Sequence, residues 1–458
     1  MFRVTTTIAT TLILAGCSTL GPSFVSPGIN AGARYAASVA GGEKSVTART
    51  AWWRAFNDTQ LNALIDQGLA QNLTVAQAVE RVVAAREMVA ASGIGLPTGS
   101  VVASSSVSGS SAGSQVQTTN TANTSLSWEL DLFGGQARKR EAAQASIDAA
   151  TEEANAARLT LIGDIATNYV EARGYQDRIH IARTTLDSQN QTLTLTRQQQ
   201  ELGVATKLDV AQLTGDVAST AASIPSLEIS LAAAVHRLGV LLGQEPSALN
   251  ATFARSAQIP RLSGTLRAGI PSDLMRDRPD IRQAERNLAE ATANIGVAEA
   301  DLYPSLTLTG NLAVSTATSW SLGPSLSLPI FNRGALKATV RLEESDARTA
   351  YLTYRQTVLE AVEEIENALV GFSKQQTRRS ELAKSYASYT EATDIADQLF
   401  RAGSSTLLNV LTAQRSLYSS RDSLAQSSVA VAIQYINLCK ALGGGWDLSS
   451  RTSAETRS

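Results

Sequence analysis

The chain has 458 residues, with Lys+Arg 39 against Asp+Glu 41 and a formal net charge of -2, so no basic surface points to nucleic acid. With 2 His, 2 Cys and 3 Met it is poorly stocked for metal or redox chemistry. Beyond the N-terminus no stretch approaches the ~20 apolar residues of a membrane-spanning helix, so any membrane crossing is expected to be made of strands.

Arg3, the apolar run Ile8 to Leu14 and the small residues after it read as a secretory signal, residues 1–16. Leu14-Ala15-Gly16-Cys17 resembles the bacterial lipobox, which implies that the Cys17 thiol is acylated (a palmitate-bearing lipoprotein) and becomes the new N-terminus. Ser18 resembles the outer-membrane sorting pattern. With Cys17 carrying lipid, Cys439 is the only thiol left and no internal disulfide is possible. No other cofactor is expected. Residues 17–56 are then an anchor and linking segment.

The remainder repeats itself. Leu130-Asp131-Leu132-Phe133 lines up with Leu328-Pro329-Ile330-Phe331, and Gly203 to Val210 with Gly403 to Val410, 200 positions later. The divisions expected are one repeat over 57–250, a second over 251–446 and a tail over 447–458. Each repeat begins with a helical stretch, Leu61 to Val89 or Ile281 to Leu302, ended near Pro97 or Pro304. Period-two alternation follows, with strands expected at about 98–132 and 305–331. Leu126, Trp128, Leu130 and Leu132 alternate with polar residues in the first copy, and Leu306, Leu308, Leu312 and Val314 in the second. The Ser-rich run Ser104 to Ser114 belongs to a strand and outer loop on this reading.

Very long helices come next, over about 135–243 and 334–442. Gly135 to Leu202 and Gly334 to Ala402 contain no proline. Ile165, Ala172, Ile179, Leu186 and Leu193 recur every seven residues, as do Tyr351, Val358, Ile365 and Phe372. After each glycine turn the sevens resume, from Val210 to Leu238 and from Val410 to Leu438. A strict seven-residue period makes neighbouring helices coil around each other. Pro225 is expected to bend its helix or cost it one hydrogen bond.

Four amphipathic strands cannot close a barrel, because even small ones need about eight. Open edges in lipid leave backbone groups unpaired, at several kcal/mol each, so several chains must share one wall.

Leu126-Ser127-Trp128-Glu129-Leu130-Asp131-Leu132-Phe133-Gly134, Ile270 to Leu274 with Arg278-Pro279-Asp280-Ile281, Tyr303-Pro304-Ser305-Leu306, Ala413 to Leu417 and Lys440 to Trp446 stand in one order after the lipobox. Together they resemble the TolC-like outer membrane factors, in the lipoprotein branch serving resistance-nodulation-division multidrug efflux pumps (NodT/OprM-like). The resemblance implies a mainly α homotrimer: an α-helical barrel continuous with a 12-stranded transmembrane β-barrel, four strands per chain. A mixed belt around its middle would use residues after Cys17, the Gly243 to Asp273 link and the tail. It implies an exit channel spanning the outer membrane of a Gram-negative cell and reaching into the periplasm. Its partners would be a periplasmic adaptor and an inner-membrane pump, with no nucleic acid. It also implies a periplasmic gate at the glycine turns, mapped here onto Lys207, Asp209, Asn409, Thr412 and Arg415, with Arg415 bonding to a neighbouring chain at Asp209. Asn409 and Thr412 stand where family members often carry acidic residues.

The alternatives are a non-conducting periplasmic scaffold and the outer channel of one-step protein secretion. His180 and His236 lack partners at ligand spacing, and Glu363, Glu364 and Glu366 read as a solvated helix face. No catalytic constellation is present, so an enzyme is not expected.

Overall fold

The computed structural model describes residues 19–28, 51–110, 113–260, 262 and 278–445. Cys17, most of the 243–273 link beyond residue 260 and the 447–458 tail lie outside them. In chain order the helices are α1 (Thr59–Gln71), α2 (Leu73–Ser92), α3 (Gly135–Glu201), α4 (Lys207–Leu241), the short α5 (Asn250–Phe253), α6 (Pro279–Ala300), α7 (Arg333–Arg401) and α8 (Leu407–Ala441). The strands β1 (Thr98–Ser110) and β2 (Gly113–Leu130) precede α3. Strands β3 (Ser305–Val314) and β4 (Thr318–Ser327) precede α7. The repeat is therefore real: long helices of 67 and 69 residues, each followed by one of 35.

The first helical stretch differs from its expected form. It breaks at Asn72, whose backbone is extended. The Asn72 carboxamide accepts from the Val75 N–H and donates to the Leu241 carbonyl, so one side chain caps the new helix and ties it down. Pro225 does lie inside α4, which runs on through it. One 18-residue window of α4 reaches a mean hydropathy of 1.3, long and apolar enough by length and composition alone to cross a membrane, a stretch the sequence reading did not single out. The helix nevertheless carries Asp216 and Glu228, both paired to arginines of other helices.

The described residues fall into two compact units. One takes 19–28, 78–154 and 279–358, the other 51–77, 155–278 and 359–445. The first contains the sheet, with order β1-β2-β3-β4, every pair antiparallel. Pairing of β2 with β3 joins the two repeats in one sheet. The Ser-rich run is strand up to Ser110, as expected, and the β1–β2 ladder extends past the level of the β3–β4 turn. In the same unit α6 buries Ile281, Leu288, Ala293 and Ile295, and its Arg282 pairs with buried Glu152 at 2.7 Å.

In the second unit, Trp52, Trp53 and Phe56 enter the core with Tyr435, rings edge to face. Trp52 Nε1 donates to the Gly444 carbonyl. Arg173, 2% exposed, lies over the Tyr169 and Phe253 rings and donates to Gln60, Gln176 and the Arg255 carbonyl. The buried guanidinium thus exchanges water for carbonyls and π faces. The coiled seam has the expected period: Ile165, Ala172, Ile179 and Leu193 are buried on α3, and Ile365 and Phe372 on α7. Tyr351 is an exception, 41% exposed, because Tyr354 takes the inward place a turn later.

Candidate channel wall and gate

Directly opposed residues of an antiparallel pair share a face, so the register sorts the sheet into two surfaces. One carries Leu126, Trp128 and Leu130, then Leu306, Leu308 and Leu312, then Leu326, Leu322 and Trp320. Most of these large apolar groups stand exposed, Trp320 by 78% and Leu326 by 69%, while Leu130, Leu306 and Leu308 are half-buried. The other carries Ser125, Ser127, Thr307, Thr309, Asn311, Ser321 and Ser325, with hydroxyl contacts Ser100–Ser125 at 2.8 Å and Ser104–Thr121 at 2.7 Å. β3 and β4 are ten residues each, the length a tilted strand needs to cross hydrocarbon. Among the described residues, neither β1 nor β4 has a partner on its outer edge. The surface suits lipid on one side and water on the other, and only added strands can complete it.

At the turns of the helical hairpins, α3 stops at Gly203 (φ 74°) and α7 at Gly403 (φ 72°). In both, the glycine N–H bonds back three residues and the next N–H bonds back five, closing the helix end. The starts of the returning helices differ. Thr206 and Asp209 form a reciprocal capping box on α4, but Thr406 makes no side-chain cap on α8. Asn409 instead donates to the Ser405 hydroxyl at 3.1 Å, and Thr412 to the Leu408 carbonyl at 2.8 Å.

Arg415 grips Asp216 with both nitrogens of its fork, at 2.6 to 2.9 Å. Sequence reasoning offered Asp209 of a neighbouring chain as a partner, and the pair seen here is one within the chain. Within the chain Asp209 is occupied by its own cap, and Asp216, two helical turns further along α4, is the carboxylate that faces α8. Asp216 was missed; its position beside Val217 in the seven-residue seam was the available signal. Leu193, Leu213, Leu407 and Leu411 pack as one cluster with Val210, Val217 and Phe400, drawing on α3, α4, α7 and α8. Lys207 is exposed near the turn.

Of the remaining residues singled out in the sequence, Glu364 is exposed, as a solvated face requires, and also accepts from Arg278, whose fork reaches the Ala441 carbonyl as well. Cys439 is a free, buried thiol, pushed up to about 12 by burial.

Long paired helices and a four-stranded sheet, apolar on one face and open at both edges, define one subunit of an outer-membrane channel. The chain belongs to the outer membrane efflux protein family, whose model matches twice, over residues 64–244 and 270–444, one match per repeat. It is 38% identical over 451 residues to Nodulation protein T of Rhizobium leguminosarum bv. trifolii, covering 95% of this chain and 96% of that one. It is 32% identical to the pyoverdine export outer membrane protein OpmQ of Pseudomonas putida, covering 88% and 89%. Among solved structures it resembles the outer-membrane channel OprN, with TM-score 0.84, 33% identity and coverage of 94% and 100%. The fold class expected from the sequence, that of the family's trimeric channels, holds. So does the reading as an outer-membrane exit channel, and the scaffold alternative falls away.

Proposed function

We propose that three copies close their sheets into one twelve-stranded barrel and serve as the passive outer duct of a tripartite pump, with a periplasmic adaptor and an inner-membrane pump as partners. The observation that carries this is the sheet: four strands with an apolar face and two unpaired edges, an arrangement tolerable in lipid only once identical neighbours supply the missing hydrogen bonds. The Cys17 thiol bears the lipid anchor. The gate lies at the glycine turns, at Lys207, Asp209, Asn409, Thr412 and Arg415, and the Arg415–Asp216 pair braces the second hairpin against the first. Transport energy belongs to the pump, since the chain has no phosphate-binding loop.

Purified protein should run as a trimer on a gel without heating and as a monomer after it. A dissolved, stable monomer once the lipid is removed would sink the proposal. Deletion should sensitise cells to some among a panel of antibiotics, dyes and metal ions, and unchanged tolerance across the panel would argue against efflux by this duct.

A further inference from the structure

The segment just after Cys17 is held far more firmly than an anchor tether requires. Leu20 N–H donates to the Phe133 carbonyl at 3.3 Å, and Tyr354 donates its hydroxyl to the Pro27 carbonyl at 3.3 Å. Between them Arg138, its side chain only 5% exposed, spreads its guanidinium over two backbone carbonyls, Nε to Leu20 at 2.9 Å and one terminal nitrogen to Gly21 at 3.0 Å. The other terminal nitrogen is braced by Glu141 at 2.6 Å.

Two glycines make room for this strap. A Cβ on Gly134, which has φ 77°, would lie 2.6 Å from the Thr19 Cα. One on Gly296 would lie 2.7 Å from the Leu20 carbonyl oxygen and 2.8 Å from Arg138 Cγ. Gly21 and Gly296 meet backbone to backbone. The strap therefore touches the start of α3 in the first repeat and both α6 and α7 in the second. Its first described residues sit where β2 ends and the helices begin. There the Phe133 and Tyr303 rings stack at 4.9 Å, and Leu132, Ile330 and Phe331 stand exposed.

We propose that Arg138, with Gly134 and Gly296, forms a clasp that fixes the height at which the N-terminal lipid meets the channel. This rests on the Cys17 lipid reading. Thr19 is clasped at the foot of the apolar face, and the covalent chain from it back to the lipid is only two residues, at most about 7 Å. The exposed leucine, isoleucine and phenylalanine there give the acyl chains a protein surface to lie against. Arg138 is a positioning residue: it takes two carbonyls at once in a way a lysine ammonium does not reproduce.

The test uses full-length acylated protein in phosphatidylethanolamine–phosphatidylglycerol vesicles, with a nitroxide on Ser23→Cys; buried Cys439 stays unlabelled. In the parent the label is immobile and at one depth relative to the sheet. Arg138→Ala and Gly296→Val should release it, lowering the docked-to-free ratio roughly tenfold for each carbonyl hydrogen bond removed, and spread its depth. Arg138→Lys should fall between. If these variants fail to run as trimers, Tyr354→Phe removes a single oxygen and should loosen a label at Val25. An immobile label at unchanged depth throughout overturns the clasp. Mass spectrometry of the N-terminal peptide separates the two readings: a peptide without acyl mass overturns the lipid assignment and the anchor role with it.

Discussion

The two hairpin ends share one sequence pattern and differ at one corner. Both long helices stop on a left-handed glycine with the same pair of backbone bonds. The first returning helix then starts on a threonine–aspartate box, and the second on a threonine without a side-chain bond, followed by Asn409 where the first has Asp209. A carboxylate there accepts the cap's backbone N–H and also meets the positive end of the helix dipole; an amide turned to Ser405 does neither. The stopping signal is thus common to both copies, and the starting signal belongs to the first. The second hairpin relies on a tertiary interaction instead, the Arg415–Asp216 pair laid against its partner.

Breaking that pair should have the largest effect. Arg415→Glu sets two carboxylates against each other and is expected to raise conductance across planar bilayers well above the near-silent parent. Arg415→Asp combined with Asp216→Arg should restore most of the closure. Currents as silent in Arg415→Glu as in the parent would remove the gate assignment.

Gly203→Val and Gly403→Val come next. Each forces a branched side chain into the left-handed region at a cost of about 1–2 kcal/mol, equally in the two copies, since neither glycine has a neighbour to clash with. Unequal losses in denaturant unfolding would mean that the turns are not equivalent.

A smaller and deliberately unequal pair is Thr206→Ala against Thr406→Ala. The first loses a cap worth about 1 kcal/mol, and the second loses none. Amide exchange at the start of each returning helix reads the difference. Asn409→Asp should move the second end towards the first, slowing exchange there by a few-fold.

The smallest effect concerns two half-buried carboxyls. Burial raises Glu171 and Glu290 above the usual carboxylate range, with a Ser146 hydrogen bond opposing the shift at Glu290. A raised native value means the folded chain holds its proton longer than the unfolded chain. Stability from these groups is therefore complete below the unfolded carboxylate value and is lost as pH rises through the native one. Glu171→Gln and Glu290→Gln should gain slightly in melting temperature at neutral pH, with the gain vanishing towards acid. A gain that grew in acid would contradict the burial argument.

Much of this architecture was readable in advance because it is local or periodic. The alternation of Leu306, Leu308 and Leu312 fixed strand faces, the sevens through Ile165 and Ile179 fixed the buried seam, and Gly203 and Gly403 fixed the turns. The break at Asn72 was not readable, because the same residue is an ordinary helix member unless the Leu241 carbonyl stands beside it. Nor was Glu364 in the grip of Arg278, 86 residues away. Nor does any local pattern mark Arg138, whose role depends on backbone carbonyls brought in from 118 residues upstream.

The amino-acid order alone settled the duplicated plan, the amphipathic strands and the need for several copies, since side-chain periodicity and strand count are properties of the chain itself. Which carboxylate Arg415 takes and where the strap lies were decided by folding. Each depends on groups far apart in sequence meeting within hydrogen-bonding distance, and no local pattern encodes that distance.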